Sequence, residues 1–380
     1  MNILVVNTLT VPSGQASVNR ILSLSRGLVE NGDNVTVLSS AKGEDTQIHD
    51  INGLKYQNFN GSSFKIIGLI VSLIKILKYI HRNKKDINVL WLVTNNLLLI
   101  YPLCISCKLY KIKYIQEKSE FPFVLMKNGI IAKIWGWLYI HTTYKLFDGM
   151  IIMTQPLWDY FKNIVRKDCK LIKVPMTVDV TRFENTREYS MFGDYAAYCG
   201  NMSGNKDGVK NLIEAFSYVE AKHPNFKLVM MGGANTKEEF DQIKQNVINL
   251  NLKNVIFTGC IPRDEVPHIL NNAKILCLAR PSSLQSSGGF PTKLGEYLAT
   301  GHPVVVTAVG DIPSYLNKRN SYIVEPDNNE KFGETINEIL NNYENALAIG
   351  LEGKKVALEN FNYKVQSARL HNYFIELTKQ

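Results

Sequence analysis

Residues 280–307 read RPSSLQSSGGFPTKLGEYLATGHPVVVT, and the rest of the chain is best understood outward from them. The stretch divides into a loop, a short helix and a buried strand. Pro291 stands where a first helical position tolerates the loss of an N–H. Leu294 and Leu298 follow at i, i+4, and Gly301 with Pro303 two residues on is a strong stop. Val304, Val305 and Val306 have the look of a parallel strand buried on both faces. Ahead of the helix, Ser287, Gly288 and Gly289 carry little side-chain bulk, so a ligand can approach the backbone there. A helix N-terminus offers free N–H groups and the positive end of a dipole, and both favour an anion. Lys293 adds a full charge in the first turn, and Glu296, three residues on, shares its side of the helix. A cation for phosphate beside a carboxylate for hydroxyls suits a nucleotide sugar.

Outward from this stretch, strands and helices alternate. Residues 3–7 read as a strand and 8–17 as a loop containing Pro12, Ser13 and Gly14. A helical pattern (Val18, Ile21, Leu22, Leu28) closes at Asn31-Gly32 before a strand at 35–38. This βαβ unit places Gly14 near the first strand's C-terminal end, where doubly wound folds bind ligands. No G-x-G-x-x-G accompanies it, so a nicotinamide dinucleotide is disfavoured. Further strands are predicted at 89–93, 114–116 and 150–153, with helices at 97–110 and 156–165. Glu117 and Glu120 come directly after the second of these strands. A strand at 195–199 restarts the pattern, followed by a glycine-rich turn with Lys206 poised before a helix near Gly208. Strands at 226–231, 255–257 and 275–278 follow, the last ending beside Arg280.

At 380 residues the chain suits two domains, each able to bury a core. An apolar content of 45% with 13 prolines points to a globular chain. The opening MNILVVN reads as a strand, with no basic n-region and no cleavable signal expected. No run of 18 apolar residues lacks a charge, so no spanning helix is predicted and a cytoplasmic location is expected. The six cysteines are expected to stay reduced, with Cys104 and Cys107 in YPLCISCKLY serving core packing. A formal charge of +9 is compatible with nucleic acid, anionic lipid or an acidic substrate. No RNP, zinc-finger or helix-turn-helix pattern supports nucleic acid. Neither a D-x-D nor a histidine cluster is present, so no metal is expected. Residues 64–85 combine an apolar face with Lys65, Lys75, Lys78, Arg82, Lys84 and Lys85. They read equally as a helix lying in an anionic membrane interface and as a crossover helix with a basic solvent face. A second basic and aromatic helix at 130–147, with Trp135, Trp137, Tyr139 and Tyr144, adds to the membrane-surface reading.

The stretch at 280–307 resembles the donor-site segment of family 4 glycosyltransferases, and GFPTKLGEYLATGHPVVVT is similar to a bacterial form of that motif containing the lysine. These are retaining enzymes of the GT-B fold. The resemblance implies two Rossmann-like doubly wound α/β domains facing a central cleft. It places an acceptor-side domain at 1–175, a donor domain at 176–360 and a C-terminal helix at 361–380 crossing back to the first domain. KVPMTVDVTRF at 173–183 resembles the family's inter-domain segment. In the family two glutamates lie eight positions apart; Glu296 matches the second, which holds the donor ribose, while Gly288 stands at the first. A lysine and an arginine grip the donor diphosphate; Lys206 matches the lysine, Asn201 stands at the arginine, and Arg280 is the candidate for the lost charge.

The resemblance further implies Gly14 near the reacting sugar, Glu120 facing the acceptor, and Lys206 with Lys293 on the departing diphosphate. Gly288, Gly289, Phe290, Pro291 and Thr292 would line the donor, and backbone groups at Cys260 and Ile261 would read the base. The implied activity is retaining transfer from a nucleoside diphosphate sugar to a hydroxyl, with no metal and no cofactor besides the donor. The membrane signals suggest a lipid-linked glycan acceptor, as in bacterial surface polysaccharide assembly, and a peripheral place on the inner face of the membrane. Two other readings stay open. One is a nucleotide-sugar epimerase of similar architecture, and the other a non-catalytic binding subunit whose donor site is degenerate at Gly288 and Asn201.

Overall fold

The computed structural model describes residues 1–13, 15–42, 47–60, 65–125, 129–188 and 191–379. The chain forms two compact units, Met1–Thr177 with Tyr363–Gln380, and Val178–Asn362. Both divisions fall two residues beyond the expected 175/176 and 360/361. Backbone pairing is the reason. Val178 bridges Asn362 in parallel, and its N–H donates to the Phe361 carbonyl at 2.8 Å, which ties both segments into the second unit.

The first unit opens with β1 (Asn2–Asn7), α1 (Ala16–Glu30), β2 (Asn34–Lys42), β3 (His49–Ile51) and β4 (Leu54–Asn60). It continues with α2 (Lys65–Arg82), β5 (Val89–Val93), α3 (Leu97–Tyr110), β6 (Lys113–Lys118) and α4 (Ile130–Thr142). β7 (Gly149–Ile152), α5 (Gln155–Phe161) and β8 (Lys170–Lys173) complete its sheet, ordered β3-β4-β2-β1-β5-β6-β7-β8. All its pairings are parallel except β3 with β4, which form a hairpin around Asn52-Gly53. That dipeptide is the signal the sequence reading passed over: both residues sit at positive φ, as a two-residue hairpin turn demands. The expected single helix at 130–147 is also shorter. α4 stops at Thr142, and Thr143–Lys145 form a 3₁₀ turn. The Thr142 and Thr143 hydroxyls bond back to the carbonyls of Leu138 and Tyr139, a competition that tightens a helix end.

The second unit contains β9 (Tyr195–Cys199), α6 (Val209–Glu220), β10 (Lys227–Met231), α7 (Lys237–Asn249) and β11 (Val255–Gly259). α8 (Val266–Asn271), β12 (Ile275–Leu278), α9 (Leu284–Gly288), α10 (Thr292–Thr300) and β13 (Val304–Thr307) follow. β14 (Tyr322–Val324), α11 (Asn329–Asn341) and α12 (Tyr343–Val356) close it. Its sheet is parallel throughout and ordered β11-β10-β9-β12-β13-β14, a doubly wound order whose switch point lies between β9 and β12. β12 and β13 are buried along their whole length, which explains their unbroken apolar runs. Within residues 280–307 two expectations need correction. α9 occupies what was read as loop, because Ser283 and Ser286 close a capping box. Pro291 is the residue before the helix rather than its first position.

The last helix, α13 (Tyr363–Thr378), belongs to the first unit. Its Ser367 Oγ donates to the Leu24 carbonyl at 3.1 Å and its Tyr363 hydroxyl to Glu30 at 2.9 Å, so it lies along α1. Phe374 packs on Trp91 of β5 and carries the helix onto the core of that sheet. Among the described residues no helix is long and apolar enough to cross a membrane.

Candidate functional site

The cations singled out in the sequence gather at the switch point of the second sheet, which is where a doubly wound sheet binds ligands. After β9 the chain turns through residues 200–208 before entering α6. Gly208 has φ +67°, and a Cβ there would lie 1.7 Å from the Ala279 carbonyl oxygen. Only glycine lets this loop rest against the end of β12. Arg280, the second residue beyond β12, is fully buried rather than a surface arginine. Its Nε donates to the Lys206 carbonyl at 3.1 Å and its Nη1 to the Gly289 carbonyl at 3.3 Å. Thr307 Oγ1 donates to the carbonyl of Arg280 at 2.7 Å. One side chain therefore braces the β9–α6 loop and the segment before α10, and its charge acts on the site from beneath.

Lys293, in the first turn of α10, reaches back across this floor. Its Nζ pairs with the Asp207 carboxylate, donates to the Tyr198 hydroxyl at 3.2 Å and lies 4.8 Å from the centre of that ring. Gly200 makes room, since a Cβ at that position would stand 2.5 Å from the ammonium nitrogen. Arg280 Nε lies 3.7 Å from the other Asp207 oxygen. The Lys293 and Asp207 side chains are 11% and 15% exposed, so the pair is largely withdrawn from water yet reachable. Burial alone would raise the Asp207 carboxyl, but Lys293, then Arg280 and Lys206, outweigh it and hold the group below the usual carboxylate range. Burial first, and then Asp207, push the Tyr198 phenol well above its ordinary value, so it stays protonated. Lys206 is half-buried on the same loop. Asp207 and Tyr198 were not singled out in the sequence, although Asp207 directly follows Lys206.

Glu296, one turn beyond Lys293, has a separate partner. Its Oε1 accepts from Arg182 Nη1 at 2.8 Å, and Arg182 Nη2 donates to the Arg263 carbonyl at 2.5 Å. Arg182 lies in the segment read as a connector, a third residue that sequence reasoning missed. Gly288, Gly289 and Pro291 are buried, and Thr292 is half-buried where α10 begins. Phe290 departs from its expected place lining the donor. Its ring packs against Tyr315 at 5.6 Å and Phe361 at 5.4 Å, so it anchors the segment to the core and leaves only its backbone for a ligand. Ile261 is half-buried just past β11, beside the exposed Cys260.

In the first unit, Gly14 lies outside the described residues. Glu120, just past β6, is half-buried. Its neighbour Glu117 turns inward and pairs with Arg20 of α1 at 2.5 Å, both side chains being about as buried as a core leucine. Arg20 also donates to the carbonyls of Val174, at 2.8 Å, and Pro175. Lys118, at the end of β6, is buried with its amine on Asn95 Oδ1 and the Tyr139 hydroxyl. Burial without a carboxylate among the described residues pushes its pKa well below the ordinary lysine value. α2 turns Ser72, Ile76 and Ile80 onto the sheet and leaves Ile66, Ile67, Ile70 and Ile74 exposed beside Lys75 and Lys78. The face away from the sheet is thus apolar with basic flanks, not simply basic. On α4, Ile130, Ile134 and Trp137 are likewise exposed.

Known proteins resemble this chain in sequence and in fold. Residues 194–356 match the family described as Glycosyl transferases group 1. Over 223 residues the chain is 25% identical to a GDP-mannose-dependent alpha-(1-6)-phosphatidylinositol monomannoside mannosyltransferase of Mycolicibacterium smegmatis, 55% of this chain and 57% of that protein. Over 239 residues it is 24% identical to a monoacylated-substrate counterpart from Corynebacterium glutamicum, 59% and 61% of the two chains. The chain thus spans little more than half the length of these relatives. Among solved structures, a sucrose-phosphate synthase from Thermosynechococcus elongatus superposes with a TM-score of 0.77 at 14% identity, covering 100% of this chain and 99% of the other. Anabaena HepE in complex with UDP-glucose gives 0.75 at 13% identity, covering 99% and 100%. Residues 194–356 are thus similar to the group 1 glycosyltransferases, and the chain has the GT-B fold.

Proposed function

We propose that this protein moves a sugar from a nucleoside diphosphate sugar to a hydroxyl acceptor with retention at the anomeric carbon. The observation that carries the reading is the convergence of Lys293, Lys206, Arg280 and the α10 N-terminus at one switch point. In the transition state positive charge develops on the sugar ring and negative charge on the departing diphosphate. Cations and helix N–H groups held in place beforehand stabilise that leaving group without reorganising. The C1–O bond to the diphosphate breaks, the acceptor oxygen bonds to C1 on the same face, and the acceptor proton passes to the leaving phosphate. No protein nucleophile, metal or cofactor enters this scheme. Glu296, with Oε1 held by Arg182, offers Oε2 to the ribose hydroxyls. Glu120 lies at a strand end of the first unit, the side assigned to the acceptor.

Thermal stabilisation by UDP, GDP, ADP and dTDP sugars, with wild type beside Lys293→Ala and Glu296→Ala, tests the donor. Any ligand of the native state raises its apparent stability. One nucleotide should shift wild type, and both variants should lose the shift. Silence from all four, also with an acceptor lipid present, would leave a binding subunit with a degenerate site.

The acceptor is assigned as a lipid-linked glycan at an anionic membrane surface. The support is the isoleucine face of α2 flanked by Lys75 and Lys78, with Trp137 on α4, 59% exposed, as an interfacial aromatic. The two mannosyltransferase relatives act on phosphatidylinositol mannosides by name, which agrees with that assignment. Sedimentation with phosphatidylglycerol vesicles should carry the wild type down and leave an Ile67→Glu/Ile70→Glu variant in solution. Equal behaviour of the two proteins would remove the membrane from the reading.

A further inference from the structure

Arg182 joins two parts of the second unit that lie far apart in sequence. Its Nη1 donates to Glu296 Oε1 on α10 at 2.8 Å, and its Nη2 to the Arg263 carbonyl, in the segment after β11, at 2.5 Å. The turn that carries it, Val180–Phe183, is fixed at both ends. Val180 and Phe183 are buried, the Asp179 carboxylate accepts from the Thr181 N–H, and Asn271 donates to the Phe183 carbonyl at 2.9 Å. Burial pushes the Cys199 thiol, at the end of β9, up to about 12, and Glu296, Lys293, Arg182 and Cys260 act on it after burial. The Arg182–Glu296 pair therefore stands at the same edge of the sheet as Lys293. Its contribution to folding is small, since the two side chains are 20% and 28% exposed and solvent screens them. Its geometry matters more. A planar guanidinium with one donor on a carboxylate and another on backbone fixes the orientation of both, which a point charge does not.

That fixed orientation has a chemical meaning on the donor reading proposed above, on which this inference rests. Glu296 lies three residues beyond Lys293, about 4.5 Å along the helix axis, the scale on which a ribose follows its diphosphate. A carboxylate accepts hydrogen bonds from neighbouring hydroxyls. A freely rotating glutamate loses side-chain entropy when it takes up such hydroxyls, whereas one already held loses less. We propose that Arg182 is a positioning residue that makes this site selective for ribonucleoside diphosphates over their 2′-deoxy forms, by holding Glu296 and the segment after β11 in one register. With Oε1 anchored on Arg182, Oε2 is left to accept from the 2′ and 3′ hydroxyls together. A ligand without the 2′ hydroxyl leaves that half-buried acceptor incompletely paired, which costs affinity. The bond to the Arg263 carbonyl fixes the chain just past Ile261, so the ribose and the base meet parts of one braced structure. Arg182 acts through Glu296 and does not itself touch the ligand.

The test measures dissociation constants of UDP, GDP and ADP, each beside its 2′-deoxy form, and of dTDP. Wild type, Arg182→Met, Glu296→Ala and the double variant are compared. For the base that wild type accepts, the ribo form should bind about tenfold or more tighter than the deoxy form, the size of one hydrogen bond to a charged group. Arg182→Met should cut that preference by about threefold or more, with affinity for the deoxy form little changed. A merely structural arginine would weaken both forms alike and leave the ratio where it was. Glu296→Ala should also lose the preference, and adding Arg182→Met to it should lower the ratio no further, because both changes remove one interaction. No ribo preference in wild type, a smaller cut in Arg182→Met, a further loss in the double variant, or tightest binding of dTDP overturns the assignment while the donor reading stands. Should Arg182→Met not fold, Arg182→Gln puts the same question. If wild type binds none of these nucleotides, the donor reading itself falls and this inference falls with it.

Discussion

Each unit buries an arginine–carboxylate contact beside a doubly wound sheet, and the two contacts do opposite things. In the first, Arg20 meets Glu117 at 2.5 Å and spends its other donors on the carbonyls of Val174 and Pro175. Charge is matched and the guanidinium is satisfied by backbone, so the pair ties α1 to β6 and to the segment after β8. In the second, Arg280 lies 3.7 Å from an Asp207 already taken by Lys293, so two cations face one carboxylate. Two cations around one carboxylate in a partly exposed pocket suit an anionic ligand better than they suit folding alone. The difference between a strut and a binding site is thus a matter of charge balance and access, not of residue type.

The comparison can be broken most forcefully in the first unit. Arg20→Met leaves Glu117 buried without its cation and should cost about 3–5 kcal/mol of stability, read by denaturant unfolding. The double variant Arg20→Met/Glu117→Leu should recover most of that loss. Failure to recover would mean that the bonds to Val174 and Pro175, rather than the ion pair, carry the contact.

Lys293→Ala should invert the pattern. Asp207 keeps Arg280 beside it when Lys293 is removed, so stability should stay within about 1 kcal/mol of wild type. Transfer should nevertheless fall by about 10²–10³-fold in kcat, the cost typical of losing one preorganised donor to a developing negative charge. A large loss of stability with kcat intact would make Lys293 a strut like Arg20.

The smallest effect is in pH, and its sign separates two more buried groups. Asp207 has a lowered pKa in the folded chain, so between that value and the ordinary one the unfolded chain binds the extra proton. Its contribution is complete above the ordinary carboxylate range, near pH 4, and fades as pH falls through the folded value. Lys118 is also lowered, but as a base it is neutral in the folded chain where the unfolded chain is charged. Stability should therefore rise with pH from the folded value of Lys118 up to the ordinary lysine range, about 10.4. Denaturation midpoints across pH should lose the acid limb in Asp207→Asn and the alkaline rise in Lys118→Met. Parallel profiles in all three proteins would show that neither group titrates differently on folding.

Much of this architecture is local and could be read from the chain. Val304–Val306 announce a strand covered on both faces, Gly301 and Pro303 end α10, and the apolar periodicity from Val18 marks α1. Lys293 in the first turn of a helix with a free N-terminus points to an anion before any coordinates exist. These signals survive because they depend on residues a few positions apart. α9 and the β3–β4 hairpin had local signals too, in the serines at 283 and 286 and in Asn52-Gly53, and went unread.

What only the tertiary structure decided is who partners whom. Lys293 meets Asp207 across 86 positions, and Glu296 meets Arg182 across 114. The fate of Arg280 depends on Gly208 permitting a loop to close over it, and the ring of Phe290 turns inward because Tyr315 and Phe361 stand ready to receive it. By itself the sequence determined the elements and the kind of charge at the helix start, since backbone propensity and hydrophobic period act over one or two turns. The balance of charge in the site arises from the order of the strands, which brings distant residues to one edge, and no local pattern encodes that distance.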